Sequence, residues 1–303
     1  MTRRVIQLGR LRLRNPILTA SGTCGYGLEL ARYFDIATLG AICTKGISLL
    51  PRAGNPPPRI CETPAGMLNA VGLANVGINA FIGDKLPKLR ETGATVMVNV
   101  FGETVEEFVE LAKRLAAAGG VAALELNLSC PNVAHGGLAF GTDPARIAEV
   151  AKAVRQATEL PFFVKLPPET SDVKVLARAA VDAGADGITV MNTIRGMAID
   201  IQSRRPRIAN VTGGLSGPAI RPIAIRLVYE ASRAVQAPVI GVGGVVRWED
   251  AVEMMLAGAS AVQVGTASFL NPKAPLEVLH GLDLFCRKQG IEYGDLVGGV
   301  RLE

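Results

Sequence analysis

The chain has 303 residues, of which 49% are hydrophobic and 19% charged, and its 32 basic and 27 acidic residues give a formal net charge of +5. This mild, evenly scattered charge excludes a dedicated nucleic-acid-binding protein and suits an enzyme that handles phosphate or carboxylate anions. No stretch approaches the about 20 apolar residues of a membrane span, and no apolar signal core follows the basic N-terminus, so a soluble, cytoplasmic protein is expected.

Short apolar runs alternate with amphipathic stretches along the whole chain. The strand-like runs are PILTAS (16–21), AICTKG (41–46), TVMVNVFG (95–102), AALELNLS (122–129), PFFVKL (161–166), GITVMNT (187–193), PVIGVGG (238–244) and AVQVGT (261–266). Helical patterns between them cover 105–118, 144–158, 173–183, 220–235 and 248–257. The alternation predicts a parallel sheet built from βαβ units. Eight units predict an α/β fold, a (β/α)8 TIM barrel, as a single domain over residues 1–303.

The alternative architecture is an open doubly wound sheet, which needs a GxGxxG fingerprint after the first strand. SGTCGYG at 21–27 lacks that spacing. Two connections, 46–80 and 193–218, are much longer than the others and are predicted to be functional loops. A third loop, 130–143, carries residues able to do chemistry.

Polar side chains gather where several predicted strands end. Strand side chains alternate in direction, so Leu124, Leu126 and Leu128 face the helices, whereas Glu125 and Asn127 face the barrel interior. The same alternation places Asn99 on the inward face of its strand and Lys165 on the face opposite Val164 and Leu166, and the run AICTKG ends near Lys45. In a barrel of this type catalytic groups lie at the C-terminal ends of the strands. Because an unpaired buried lysine is costly, this cluster predicts a site rather than a set of structural residues.

The last two predicted strands end in glycine, as GVGG (241–244) and QVGT (263–266). The loops after strands 7 and 8 of such barrels commonly bind a phosphate. A phosphate site near two lysines indicates flavin mononucleotide (FMN), since a cation near the ring stabilises the charge of the reduced flavin.

Several motifs together give the chain a strong resemblance to the catalytic subunit of class 1 dihydroorotate dehydrogenases over nearly its whole length. The matching stretches are TASGTCGYG (19–27), TKGIS (44–48), NAVGLANVG (69–77), VNVFG (98–102), NLSCPN (127–132), VKLPP (164–168), NT (192–193), GGLSGPAIRP (213–222), GVGG and VGT. Two residues depart from the family pattern beside the proposed site: Val76 stands where proline is common, and Cys24 where an aromatic is common.

The resemblance implies oxidation of (S)-dihydroorotate to orotate in pyrimidine synthesis, with hydride passing to FMN and Cys130 acting as the base. It assigns FMN to Ser21, Lys45, Gly46, Asn99, Asn127, Lys165, Met191, Gly217, Gly243, Gly244, Gly265 and Thr266. It assigns the substrate to Lys45, Asn69, Ala70, Val71, Gly72, Leu73, Asn127, Asn192 and Thr193.

The loop CPNVAHGGLAFGT (130–142) resembles class 1B, the NAD-linked type. That type implies a homodimer core within a heterotetramer that includes an FAD- and iron–sulfur-containing electron-transfer subunit. The five cysteines (Cys24, Cys43, Cys61, Cys130 and Cys286) include no CxxC pair, so free thiols and no metal site are expected in this chain itself.

Other functions stay open at this stage. One is a fumarate-linked class 1A dihydroorotate dehydrogenase, and another is a dihydrouridine synthase, which also pairs FMN with a cysteine. A dihydrouridine synthase would want a tRNA-binding domain and a more basic surface. A non-catalytic barrel that binds a phosphorylated ligand is disfavoured by two lysines and a cysteine around one rim.

Overall fold

The computed structural model describes residues 5–128 and 140–302. Eight parallel strands in these ranges pair in chain order, and the last strand pairs with the first. A bridge between Leu18 and Ala41 completes the ring between the first and second strands. The strands are β1 Ile17–Thr19, β2 Ile42–Cys43, β3 Val96–Val100, β4 Ala123–Asn127, β5 Phe162–Leu166, β6 Gly187–Val190, β7 Val239–Val242 and β8 Ala259–Val264. The predicted strands and the (β/α)8 barrel are confirmed.

Helices surround the barrel and follow the strands. The first helical segment, α1, joins Gly77–Ala80, a π-helical turn over Phe81–Lys85, and Leu86–Glu91. The others are α2 Val105–Ala118, α3 Pro144–Ala157, α4 Val173–Asp182, α5 Arg221–Ser232, α6 Trp248–Leu256, α7 Ala267–Leu270 and α8 Ala274–Gln289. Single 3-10 turns lie at Leu30–Arg32, Ile36–Thr38, Phe140–Thr142, Pro218–Ile220 and Tyr293–Leu296.

The predicted helix boundaries agree with the structure to within one residue, except for the helix expected at 220–235. That helix is α5, which ends three residues early at Ser232. Its end is a turn in which the Ala234 N–H bonds to the carbonyl of Ala231, three residues back rather than four. Three well-predicted helix starts have side-chain caps: Thr104, Asp143 and Asp172 accept hydrogen bonds from the first turns of α2, α3 and α4.

An apolar layer fills the N-terminal half of the barrel. Side chains from the inward parity of the strands, among them Met97, Phe163 and Ile240, pack against an N-terminal hairpin formed by Ile6–Leu8 and Leu11–Leu13. At the hairpin turn the Arg10 guanidinium donates to the carboxylate of Asp186, with Nε and Oδ1 2.6 Å apart. The hairpin therefore closes one end of the barrel, which leaves the opposite, C-terminal end for ligands.

The two long connections contain regular structure that the sequence did not reveal. Strands Ile60–Thr63 and Gly66–Asn69 of the first pair with Ile194–Met197 and Thr212–Ser216 of the second, as a four-stranded antiparallel sheet. The expectation of loops at 46–80 and 193–218 is wrong in this respect. These strands are short, and three of them contain glycine, which is depleted in strands, so their sequences gave no strand pattern.

A second, two-stranded pair joins Ile199–Asp200 to Arg205–Pro206. Within residues 5–128 and 140–302, no helix is long and apolar enough to cross a lipid bilayer.

Candidate active site

A cavity of about 910 Å³ opens at the C-terminal ends of the barrel strands, beside the four-stranded sheet. The sequence-predicted site residues that the structure describes all line this one cavity. They are Ser21, Lys45, Gly46, Asn69, Ala70, Val71, Gly72, Leu73, Asn99, Asn127, Lys165, Met191, Asn192, Thr193, Gly217, Gly243, Gly244, Gly265 and Thr266. Cys130, the predicted base, lies outside the described residues. The described chain reaches the cavity at Asn127 and Leu128.

The floor of the cavity rests on a buried carboxylate, that of Glu125 in β4. Its Oε1 accepts a hydrogen bond from Asn99 Nδ2 at 2.7 Å, and its Oε2 accepts one from Gln263 Nε2 at 2.7 Å. The Lys165 ammonium lies 3.4 Å from Oε1. Burial pushes the pKa of Glu125 upward, but the Lys165 charge and the amide hydrogen bonds outweigh burial and leave this pKa below its usual value. The carboxylate is therefore ionised.

Lys45 supplies a second ammonium group at the end of β2. Its backbone N–H donates to the Gly25 carbonyl at 2.7 Å, which fixes the start of the side chain. Burial lowers the pKa of Lys45, and the nearby Arg59 charge lowers it further. The cavity thus holds one ammonium paired with Glu125 and a second, half-buried one.

Glycine-rich strand ends form another wall of the cavity. Gly243 and Gly244 follow β7, and Gly265 and Thr266 follow β8. Across from them, Thr266 Oγ1 donates to Ser216 Oγ at 2.8 Å, which ties the end of β8 to the four-stranded sheet. The absence of side chains at the three glycines leaves the main chain as the surface of this wall.

The loop after β7 is held from behind by Asp250 of α6. The Val246 and Arg247 N–H groups both donate to Asp250 Oδ2 at 2.9 Å. Arg221, the first residue of α5, pairs with the other oxygen of the same carboxylate. This pairing fixes the backbone of α5 against Gly244, where an added Cβ would lie 2.5 Å from the Arg221 Cβ.

The polar groups of the outer cavity are held by short side-chain-to-backbone bonds. Asn69 Nδ2 donates to the Gly214 carbonyl at 3.1 Å, across the four-stranded sheet. Asn55 Nδ2 donates to the Ala70 carbonyl at 2.9 Å. The Thr193 N–H donates to Asn192 Oδ1 at 2.7 Å, so this amide oxygen faces its own chain.

Several lining residues escaped the sequence analysis. Gln263 could have been found, because it is a polar residue at the inward parity of β8. Arg52, Phe101 and Glu103 carried no such signal. The Arg52 guanidinium lies 4.8 Å from the centre of the Phe101 ring and pairs with Glu103, which joins two loops that are remote in sequence.

The two departures from the family pattern have distinct structural settings. The Val76 N–H donates to Tyr26 Oη at 3.1 Å, a bond that proline could not make. Cys24 is turned into the core, where its Sγ lies 3.3 Å from the Cys43 carbonyl oxygen. Burial raises the pKa of Cys24 to about 12, so it is an un-ionised thiol. Its neighbour Thr23, rather than Cys24, lines the cavity.

The bond between Val76 and Tyr26 predicts a measurable coupling. Val76 has φ of −83°, close to the proline value, so Val76→Pro costs chiefly this hydrogen bond. We expect Val76→Pro to lower the free energy of unfolding by about 1 kcal/mol more in the wild-type background than in Tyr26→Phe. Urea unfolding of the four proteins of this cycle measures the difference. Equal losses in the two backgrounds would show that the bond does not stabilise the fold.

The fold and this cavity define the class of (β/α)8-barrel enzymes, whose active sites lie at the C-terminal face of the barrel. The family profile described as Dihydroorotate dehydrogenase matches residues 5–285. The chain belongs to the dihydroorotate dehydrogenase family.

Close relatives share almost the whole length of the chain. A protein of Pelobacter propionicus named "Dihydroorotate dehydrogenase B (NAD(+)), catalytic subunit" is 55% identical over 296 residues, which are 97% of each chain. Proteins of the same name from Geotalea daltonii and Geobacter sulfurreducens are 53% and 52% identical over 298 residues, the former over 98% of each chain. The predicted resemblance to class 1B is confirmed, and the chain is an oxidoreductase of that type.

Proposed function

We propose that this chain oxidises (S)-dihydroorotate to orotate in de novo pyrimidine (UMP) biosynthesis, as one FMN-binding barrel domain. The observation that carries the proposal is the convergence of Lys45, Lys165, Asn127 and the glycine-rich strand ends on one cavity. The name shared by the relatives gives the same activity.

The cavity residues fit FMN in two respects. Main chain without side chains at Gly243, Gly244 and Gly265 leaves room for a phosphate at the ends of β7 and β8. At the floor, Asn99 Oδ1 is a buried acceptor with no partner within the described ranges, which suits a ring N–H. The FMN-binding residues in this proposal are Ser21, Lys45, Gly46, Asn99, Asn127, Lys165, Met191, Gly217, Gly243, Gly244, Gly265 and Thr266.

The substrate is a six-membered ring with amide groups and a carboxylate, and the remaining wall of the cavity has matching chemistry. Lys45 offers a cation for the carboxylate. Asn69, Asn127, Asn192 and Thr193 bring amide and hydroxyl groups for the ring edges. The segment Ala70, Val71, Gly72 and Leu73 completes this side of the cavity.

The proposed reaction removes two hydrogens from adjacent ring carbons. Bound FMN supplies the acceptor for the hydride that leaves C6. The thiolate of Cys130 takes the C5 proton, so a carbon–carbon double bond forms and orotate results. An unperturbed thiol has a pKa of about 8.5, so modest electropositive surroundings suffice to make Cys130 a base near neutral pH. Lys45 gives the cavity that sign of charge, since the Lys165 charge is balanced by Glu125.

Electrons leave this chain through another protein in the proposal. A homodimer of this chain would pair with an FAD- and iron–sulfur-containing subunit and deliver electrons to NAD. The words "catalytic subunit" and "NAD(+)" in the relatives' names support this partner over fumarate. We place the enzyme in the cytoplasm, because Cys24, Cys43 and Cys61 are free thiols.

The test is spectroscopic. The purified protein should be yellow, and dihydroorotate added without oxygen should bleach the flavin absorption in a single turnover. Reduced nicotinamide added to this chain alone is the control and should leave the colour unchanged. A colourless protein, or one bleached by reduced nicotinamide but not by dihydroorotate, would contradict the proposal.

A further inference from the structure

Glu125 places a carboxylate at the centre of the barrel floor, and the reaction as proposed does not use it. Its side chain is fully buried, and it lies one layer beneath the cavity. Three groups that line the cavity touch it: the amides of Asn99 and Gln263 and the ammonium of Lys165. A carboxylate in this position can orient groups that line the cavity without lining the cavity itself.

The carboxylate fixes both amides in one orientation. An ionised carboxylate only accepts hydrogen bonds, so each amide turns its NH₂ group toward Glu125 and its oxygen away. The two oxygens, Asn99 Oδ1 and Gln263 Oε1, are buried and have no partner within residues 5–128 and 140–302. A Cβ added to Gly46, which lines the cavity, would lie 2.9 Å from Asn99 Oδ1. The acceptor of Asn99 therefore lies against the surface at which a ligand would bind.

The carboxylate also balances the Lys165 charge. Lys165 is 5% exposed, and a buried ammonium without a counter-ion loses its proton readily. Glu125 Oε1 lies 3.4 Å from the Lys165 ammonium nitrogen and supplies a negative counter-charge. Removal of that charge would leave Lys165 without this ion pair.

We propose that Glu125 is a positioning residue, which balances the charge of the Lys165 ammonium at the cavity floor and sets the orientation of the Asn99 and Gln263 amides. This inference rests on the proposed binding of FMN, for which Lys165 supplies a cation. In this proposal, Glu125 affects the reduction potential of FMN through Lys165 and makes no contact with cofactor or substrate.

Two other titratable groups face this cluster. Cys43 Sγ lies 3.4 Å from Glu125 Oε1, and Lys45 lines the same cavity. Burial raises the pKa of Cys43 well above its usual value, and the Glu125 charge adds to the effect. Burial is the larger cause and persists in variants of Glu125, so the Cys43 thiol stays un-ionised in them, and the pKa of Lys45 is shifted by burial and Arg59 rather than by Glu125. A pH-dependent difference between wild type and these variants therefore reports on Lys165.

The test is the reduction potential of bound FMN in Glu125→Gln and wild type, measured spectroscopically from about pH 6 to pH 9, the range into which an unpaired buried lysine titrates. At low pH, Lys165 stays charged without its opposing carboxylate, so the variant's potential should equal or exceed that of wild type. At high pH, Lys165 loses its proton, and the variant should be more negative by about 30 mV for each tenfold preferential loss of affinity for the reduced cofactor. The potential of the variant minus that of wild type should therefore become more negative as pH rises.

Asp186→Asn is the matched control. Asp186 is also a buried carboxylate in ion pairs, with Arg10 and Arg155, but it lies at the opposite end of the barrel. It should lower stability without a pH-dependent change in potential. A difference between Glu125→Gln and wild type that is absent, or the same at every pH, would overturn the inference.

A second comparison covers the case in which Glu125→Gln does not fold. Removal of both charges of a buried pair is better tolerated than removal of one. If Glu125 acts through Lys165, the difference in potential between the double variant Glu125→Gln/Lys165→Met, which has neither charge, and wild type should be the same at every pH. A difference that changes with pH in this double variant would overturn the inference. If purified wild type contains no FMN, both this inference and the proposed function are overturned. If wild type is bleached by dihydroorotate, the proposed function stands and the variants test only the inference.

Discussion

Cys130→Ala is expected to keep FMN bound and to lower the turnover of dihydroorotate by about 10²- to 10⁴-fold, the usual contribution of a positioned general base. Alanine cannot take the C5 proton, and the cavity residues that would hold FMN are unchanged. Anaerobic stopped-flow bleaching by dihydroorotate measures the chemical step directly, and the flavin absorption of the purified variant measures occupancy.

Two cysteine variants sharpen this experiment. Cys61→Ala removes a thiol from the four-stranded sheet at a position that does not line the cavity, and should retain wild-type bleaching. Cys130→Ser keeps a hydroxyl that ionises far less readily than a thiol, so its rate should lie between alanine and wild type near neutral pH and rise with pH. Wild-type bleaching by Cys130→Ala would remove Cys130 as the base.

Gly244→Ala should weaken FMN binding by about 10- to 100-fold, since overpacking costs about 1–3 kcal/mol and each 1.4 kcal/mol is tenfold. Gly244 has φ of +77°, and an added Cβ would lie 2.9 Å from the backbone N and Cα of Arg221. Arg221 is the first residue of α5 and is paired with Asp250, so the loop at 243–246 must move instead. That loop is where the phosphate is proposed to bind.

Gly93→Ala separates the clash from the backbone strain. Gly93 has a similar φ of +68°, but a Cβ there would meet no atom within 4 Å. Both variants should lose about 1–2 kcal/mol of stability through the left-handed backbone, whereas FMN affinity should fall only in Gly244→Ala. Fluorescence titration of the apoproteins with FMN measures the affinities. Equal affinities in the two variants would place the phosphate elsewhere.

Strand periodicity explains why much of the site was predictable. Lys165 stands between two apolar residues in FFVKL, and the period of two places it on the opposite face from Val164 and Leu166. Asn99 and Asn127 follow the same rule in β3 and β4. Since all eight strands are parallel, their C-terminal ends meet, and residues remote in sequence reach one cavity.

The four-stranded sheet shows where local pattern fails. The pairing of Thr212–Ser216 with Gly66–Asn69 joins segments that are about half the chain apart, and neither has the β-branched alternation of a strand. Backbone hydrogen bonds between the two long connections, rather than side-chain propensity, form this sheet. The hydrogen bond between Val76 and Tyr26 is likewise a contact that local pattern does not predict, because neither residue type indicates its partner.

The sequence by itself determined the barrel, the inward direction of Glu125 and Lys165, and the family. Only the tertiary structure decided that Glu125 contacts Lys165, 40 positions away, and Gln263, 138 positions away. The physical reason is that alternation fixes which face of its own strand a side chain occupies. The register between neighbouring strands, and the closure of the ring, fix which side chains then meet at one level of the interior.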